Sequence, residues 1–237
     1  MKRKRRWIIP LIAIAAIALA CLIYTGVYYH ADETAIAALA SDESVTVTKT
    51  EYGWFFDGVA EEDVLVFYPG GKVEETAYAP LLHRLAAQGM DVCLLKVPLR
   101  LAVLGTNRAD DVPELGSYAH RYVGGHSVGG AVAAIYAAGH GEQLSGVILL
   151  AAYPTKALDD TLLLLEIYGS EDGVLNTEKL SDGSQYAPER TREDVIEGGN
   201  HAQFGNYGVQ KGDGTASISA EEQQKQTVEC ILSNVLQ

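Results

Sequence analysis

The residues best placed to do chemistry lie in Gly124-Gly125-His126-Ser127-Val128-Gly129-Gly130. Strand-like Tyr122 and Val123 precede this heptapeptide, and an Ala-rich run expected to be helical, Ala131 to Ala138, follows it. A Gly-x-Ser-x-Gly in that strand–turn–helix context reads as a nucleophile elbow, with the Ser127 hydroxyl standing above the strand ends. Gly125 and Gly129 leave room for strand and helix to close on one another. The Val128 amide, at a helix N-terminus, is placed to hold a developing oxyanion. The bland alternative is a helix-entry loop. A phosphate-binding loop is excluded because no Lys-Ser or Lys-Thr follows, and the glycine spacing is wrong for a dinucleotide fingerprint.

An activated serine needs a base, and the base needs a carboxylate to fix its tautomer. On an open parallel sheet both belong on loops at the carboxyl ends of strands. The strand-like run Leu162–Tyr168 opens into Gly169-Ser170-Glu171-Asp172-Gly173, where Asp172 is the expected acid and Glu171 the alternate. The next strand opens into Gly198-Gly199-Asn200-His201-Ala202-Gln203-Phe204, where His201 is the expected base. Of the six histidines it alone lies in a loop after a strand that follows the acid. His126 is expected to pack at the elbow or line the pocket, since it starts too near Ser127 in sequence to be aimed freely. A second oxyanion donor is expected in the loop after Val64–Tyr68, at Gly71, with Lys72 as alternate. Tyr68, Lys72, Asn107, Arg108, His126, Gln203 and Phe204 flank these loops and are candidate pocket residues. No paired-Cys motif and no His-x-x-x-His suggests a metal site.

The elements that must position these groups alternate between strand and helix. Val45–Thr48 and Tyr52–Phe56 read as strands, and Val64–Tyr68 is a continuous apolar run of the kind buried in a parallel sheet. Tyr78–Gln88 is amphipathic, with Pro80 in its first turn and Gly89 closing it. Further strands are expected at Asp91–Val97, Arg121–Gly124, Ser145–Ala151, Leu162–Tyr168 and Arg192–Glu197, and a last helix at about Ser219–Leu236. This order predicts a three-layer α/β fold with a mostly parallel sheet. The stretch from Gly205 to Ala216 carries four glycines and reads either as a small lid or as a solvated connection.

The net charge is −13, and five of the eighteen basic residues are Lys2, Arg3, Lys4, Arg5 and Arg6. The chain beyond Arg6 therefore carries 13 − 31 = −18, which disfavours nucleic acid as a partner. From Trp7 to Tyr29 no charged residue occurs, a length that at about 1.5 Å per residue spans the roughly 30 Å hydrocarbon layer. With Trp7 at one end and Tyr24, Tyr28 and Tyr29 at the other, this segment predicts a single transmembrane signal anchor with a cytosolic N-terminus. The expected organisation is a basic tail at 1–6, an anchor at 7–29, a juxtamembrane linker at 30–44 and a catalytic domain at 45–237. Cleavage after Ala18 or Ala20, giving a secreted protein, is the alternative. Cys93 and Cys230 are expected to be buried thiols, though outside the cell they could pair.

Together these residues resemble the alpha/beta-hydrolase superfamily, and within it the small capless members near the dienelactone-hydrolase-like enzymes. The likeness runs from about Val45 to the C-terminus and rests on the elbow with Asp172 and His201 in the family's chain order. Tyr68-Pro69-Gly70-Gly71-Lys72, Asn107-Arg108-Ala109-Asp110 and Gly198 to Gly205 look like signatures of one membrane-anchored or secreted bacterial branch. Dienelactone hydrolases are similar in fold but use a cysteine where this chain has Ser127. The resemblance implies a mostly parallel sheet of about eight strands and no cofactor. The functional expectation is a membrane-anchored extracytoplasmic serine carboxylesterase acting on small-molecule esters through Ser127, His201 and Asp172. An acyltransferase using the same residues and a catalytically silent tethered binding module are the alternatives.

Overall fold

The computed structural model describes residues 9–16, 24–59 and 62–235. Its sheet has eight strands: β1 (Thr46–Lys49), β2 (Gly53–Asp57), β3 (Asp63–Tyr68), β4 (Asp91–Leu95), β5 (His120–His126), β6 (Gly146–Leu150), β7 (Leu163–Gly169) and β8 (Arg190–Ile196). They lie in the order β1-β2-β4-β3-β5-β6-β7-β8. β1 and β2 pair antiparallel, β2 is antiparallel to β4, and every later pairing is parallel. The three-layer α/β expectation holds, with a mixed sheet. The helices are α1 (Glu33–Ala37), α2 (Ala79–Ala86), α3 (Val128–His140), α4 (Thr177–Gly183) and α5 (Ala220–Val235).

β3 shows why the sheet needs two layers of cover. Its side chains alternate between faces, yet every residue of it is buried. Leu65 and Phe67 face a core with Leu81, Leu82 and Leu85 of α2 and Val228 and Ile231 of α5. Val64, Val66 and Tyr68 face a second core with Val132, Ala133, Tyr136 and Ala137 of α3. The parallel strands all end on one side of this sandwich, so the loops after β3, β5, β7 and β8 meet there. Between β4 and β5 the chain runs through short 3-10 turns from Pro98 to Ser117. Cys93 and Cys230 are both free, and burial pushes the Cys93 thiol up to about 12.

The expected membrane anchor is corrected by the structure. Among the described residues no helix is long and apolar enough to cross a membrane. Within the expected span, residues 9–16 and 24–26 are helical. Residues 7–8 and 17–23 of the expected span lie outside the described residues. The tyrosines read as an interfacial belt pack instead on the folded body. Lys72 Nζ lies 4.0 Å from the ring centroid of Tyr24, and the Arg100 guanidinium 3.4 Å from that of Tyr28. Tyr29 donates its amide to the Lys72 carbonyl at 2.8 Å and accepts from the Glu74 amide at 2.9 Å. Membrane partnership, single-pass topology and the functional reading built on them go with the anchor. Downstream, Asp32 caps α1 by accepting from the Ala35 amide at 2.8 Å, and Ala35 is fully buried.

One buried group strains this architecture. Glu166 on β7 is 6% exposed, its Oε1 has no partner among the described residues, and it stands in register beside Glu193 of β8. Burial, with the Glu193 charge adding to it, pushes the Glu166 carboxyl up to about 7. An acid whose folded pKa is raised costs stability as pH climbs from its unfolded value through the folded one. Glu166→Gln is therefore expected to be more stable than the parent at pH 8, by on the order of 3 kcal/mol in urea unfolding. The gap should close as pH falls toward 4.5, the ordinary value of the group. A gap that is absent, or that widens in acid, would contradict this account.

Candidate active site

β5 ends at His126 and α3 begins at Val128, so Ser127 alone makes the turn, at φ 54° and ψ −123°. This is a strained conformation for a residue with a side chain. It survives because neighbours hold it: the Ser127 amide donates to the Leu150 carbonyl at 2.9 Å, and its carbonyl accepts from Ala131 at 3.1 Å. The two flanking glycines are sterically required. A Cβ on Gly125 would sit 2.5 Å from the Tyr68 carbonyl oxygen, and one on Gly129 2.3 Å from the carbonyl oxygens of both Tyr68 and Pro69. The end of β3 thus presses directly against the turn.

His201 and Asp172 come together across the β7 and β8 loops. His201 Nδ1 lies 2.8 Å from Asp172 Oδ2, with the two side chains 1% and 2% exposed. Asp172 Oδ1 accepts from the amides of Val174 at 2.8 Å and Leu175 at 2.7 Å, so its own loop fixes it. Because an ionised carboxylate only accepts, Nδ1 carries the proton and Nε2 keeps a lone pair. That Nε2 is buried and unpartnered among the described residues, Ser127 included. Ser127 and His201 nevertheless border one cavity of about 220 Å³. In unliganded sites a nucleophile–base bond is often long and tightens only with substrate bound. Glu171, the alternate acid, is exposed.

The loop after β3 meets the elbow at Gly71, where a Cβ would stand 3.3 Å from Val128 Cγ2. Its neighbours' amides are occupied: Gly70 donates to Tyr78 Oη at 3.0 Å, and Lys72 to the Arg100 carbonyl at 2.8 Å. Among the described residues, the amides of Gly71 and Val128 have no acceptor.

The cavity wall is not the one sequence adjacency suggested. Besides Ser127, Val128 and His201 it consists of Ala131, Ala151, Ala152, Tyr153, Thr155, Val174, Leu175 and Asn176. None of the seven candidate pocket residues borders it. Tyr68 turns inward, its hydroxyl donating to the Thr106 carbonyl and accepting from the Ala109 amide at 3.1 Å. Lys72 covers Tyr24. Asn107 and Arg108 lie in a separate surface depression, where Arg108 pairs with Asp111 at 2.6 Å. Gln203 donates to the Ile218 carbonyl at 3.0 Å, and Phe204 is fully buried against His126. The true wall follows β6 and β7 directly, which the rule that ligands sit at strand carboxyl ends would have found.

His126 supports His201 from behind, their ring centroids 4.5 Å apart. Its Nδ1 lies 2.8 Å from Tyr78 Oη, which also accepts from Gly70, so Tyr78 gives its proton to Nδ1. Burial, reinforced by the neighbouring His201, holds the His126 pKa well below the ordinary value, although the His201 carbonyl pulls the other way. His126 is therefore a neutral strut. Two further residues escaped sequence reasoning. Tyr78 reads only as a helix-face residue, and Asp213 sits in the glycine-rich stretch after His201. A larger cleft of about 540 Å³ lies at the opposite ends of the strands, near His120 and Arg190, away from this chemistry.

Solved structures share this architecture. TT1662 from Thermus thermophilus superposes with TM-score 0.57 at 14% identity, over 80% of this chain and 98% of its own. The structure of a membrane phospholipase A, a bacterial virulence factor, matches with TM-score 0.58 at 13% identity over 99% of both chains. Est1E from Butyrivibrio proteoclasticus matches at 0.54 and 13%, over 82% of this chain and 100% of its own. At such identities the likeness is one of fold. No curated protein matches the sequence. Residues 64–225, which hold the elbow, Asp172 and His201, match the alpha/beta hydrolase family, and the chain belongs to that family as an enzyme of the hydrolase type.

Proposed function

We propose that the chain is a serine esterase, with Ser127 as nucleophile, His201 as general base and acid, and Asp172 orienting His201. The observation that carries this reading is the state of His201. Its Nδ1 is held by Asp172, its buried Nε2 has no partner among the described residues, and His201 and Ser127 border one cavity. Ser127 Oγ attacks the ester carbonyl carbon as Nε2 takes the hydroxyl proton. The carbonyl π pair moves onto oxygen, where the amides of Gly71 and Val128 receive it. On collapse the alkoxide leaves with the proton from Nε2, and an acyl-serine remains. Water, deprotonated by the same nitrogen, then releases the acid. Each oxyanion donor lowers such a barrier by about 3 kcal/mol.

The cavity also bears on the substrate. Its wall is largely apolar and, among the described residues, holds no Lys or Arg. An uncharged acyl group of modest size suits it, since a carboxylate or phosphate would lose water without gaining a counter-charge. The β6–β7 connection, from Leu150 to Leu163, is too short to hold a cap domain and supports placing the enzyme among capless members. Ser127→Ala is expected to abolish both p-nitrophenyl ester hydrolysis and labelling by a fluorophosphonate probe in a chain that still folds. Persistent labelling would move the nucleophile elsewhere. Asp172→Asn is expected to lower kcat by about 10⁴-fold, as loss of the orienting carboxylate does in serine hydrolysis. Glu171→Gln should stay within about twofold of the parent, as an exposed substitution does, and the reverse ranking would reassign the acid.

A further inference from the structure

The geometry points to Asp213 as a positioning residue, a second carboxylate that locks the acid loop and the base loop to one another. The inference rests on the roles assigned above to Ser127, His201 and Asp172. Asp213 Oδ1 accepts from the Gly173 amide at 3.2 Å, the His201 amide at 3.2 Å and its neighbour Gly214 at 2.8 Å. Its Oδ2 accepts from the Ala202 amide at 2.8 Å. One side chain therefore holds the residue after Asp172 together with His201 itself and the residue after it. Within the stretch that reads as a lid or a solvated connection, Asp213 and Gly214 are tied to the two loops, while Gly208, Val209, Lys211 and Gly212 are exposed.

Steric fit makes this clamp specific. A Cβ on Gly173 would sit 2.7 Å from the Gly212 oxygen and the Gly214 nitrogen, and one on Gly214 1.9 Å from the Glu171 oxygen. The two backbones thus lie against each other with no side chain between them. Gly214 adds a further tie by accepting from Asn200 Nδ2 at 2.9 Å. The chemistry requires a carboxylate rather than an amide. Four N–H donors converge on two oxygens, and an ionised carboxylate accepts on both with charge-assisted strength. An asparagine would turn its own NH₂ toward at least one of those donors. The two loops are also joined where the Glu171 amide donates to the Gly199 carbonyl at 2.8 Å, and Asn200 is held by Gln223, but those ties stop short of His201, whose own amide is held by Asp213. Displacement by 1 Å of a reacting group costs about a hundredfold in rate.

The test compares the parent, Asp213→Asn, Asp213→Glu and Asp159→Asn. The last is an exposed carboxylate that accepts from the Thr161 amide at 2.9 Å, away from the cavity. Asp213→Asn and Asp213→Glu are expected to lower kcat on p-nitrophenyl acetate by about 10- to 100-fold with KM nearly unchanged. They should slow fluorophosphonate labelling in parallel, and shift or broaden the low-field proton resonance of the His201 Nδ1–H. Asp159→Asn should change none of these. Folded Asp213 variants with parental kcat and an unmoved resonance would overturn the proposal. If both variants fail to fold, hydrogen exchange on the parent decides: slow exchange at Gly173, His201 and Ala202 upholds the clamp, and fast exchange there refutes it. A parent that neither hydrolyses esters nor reacts with the probe would sink the serine-esterase reading instead, while the exchange result would still report on the clamp.

Discussion

The backbone of Ser127 is the constraint on which the site depends. A non-glycine residue at φ 54°, ψ −123° costs on the order of 1–3 kcal/mol, and such a conformation persists only where its surroundings over-determine it. Here β5 is paired on both sides, to β3 and to β6, up to its last residues. The loop leaving β3 fills the space where Gly125 and Gly129 lack side chains. Ala151, at φ 49°, repeats the strain on the adjoining strand end, and it too borders the cavity. Strain thus sits where β5 and β6 open, as it also does at Lys72, Leu99 and Arg100 in the loops beyond β3 and β4. At β5 and β6 the sheet's hydrogen-bond ladder is what resists its relaxation.

Beneath that turn a polar chain joins loops far apart in sequence. The Gly70 amide donates to Tyr78, Tyr78 to His126, and the His126 ring lies against His201. Such a buried chain is useful only if its protonation is single-valued. Burial keeps His126 neutral, and because the Tyr78 oxygen already accepts from Gly70, the ring's one proton belongs on Nε2 and Nδ1 accepts from Tyr78. The same neutrality matters to the proposed role of His201, in which its ring becomes an imidazolium. A charged ring 4.5 Å away in a dry interior would oppose that step, and a neutral one does not.

What could be read from sequence divides along the same physical line. The elbow was legible because its sterics are local: one serine, two glycines, a strand before and a helix after. The positions of Asp172 and His201 were legible because parallel topology sends strand ends to one side. Side-chain direction was not legible. Tyr68 and Gln203 adjoin the right loops, yet both turn toward the protein interior to satisfy backbone groups. The Gly205–Ala216 stretch reads as a lid or a solvated connection; its middle, Gly208 to Gly212, is largely exposed, while Gly214 permits a close backbone approach that sequence does not show. The apolar N-terminal run misled for a related reason. Hydropathy measures how a segment would partition, not whether Tyr29 can join Val73 in a parallel bridge.

Charge and shape then set what the enzyme can accept. The chain beyond Arg6 is strongly acidic, yet the cavity beside Ser127 borders on alanine, valine, leucine, tyrosine, threonine and asparagine. Each carboxylate near the chemistry is occupied by donors of its own: Asp172 by two amides and an imidazole, Asp213 by four amides. Their charge is spent on holding loops and a tautomer, so neither is left to bind substrate. On the proposed mechanism, selection comes from the size of the apolar recess and from the Gly71 and Val128 amides, which would recognise any polarised carbonyl. A site built this way discriminates weakly among small neutral acyl groups, since one methylene in an apolar pocket changes binding by only about 1–3 kcal/mol.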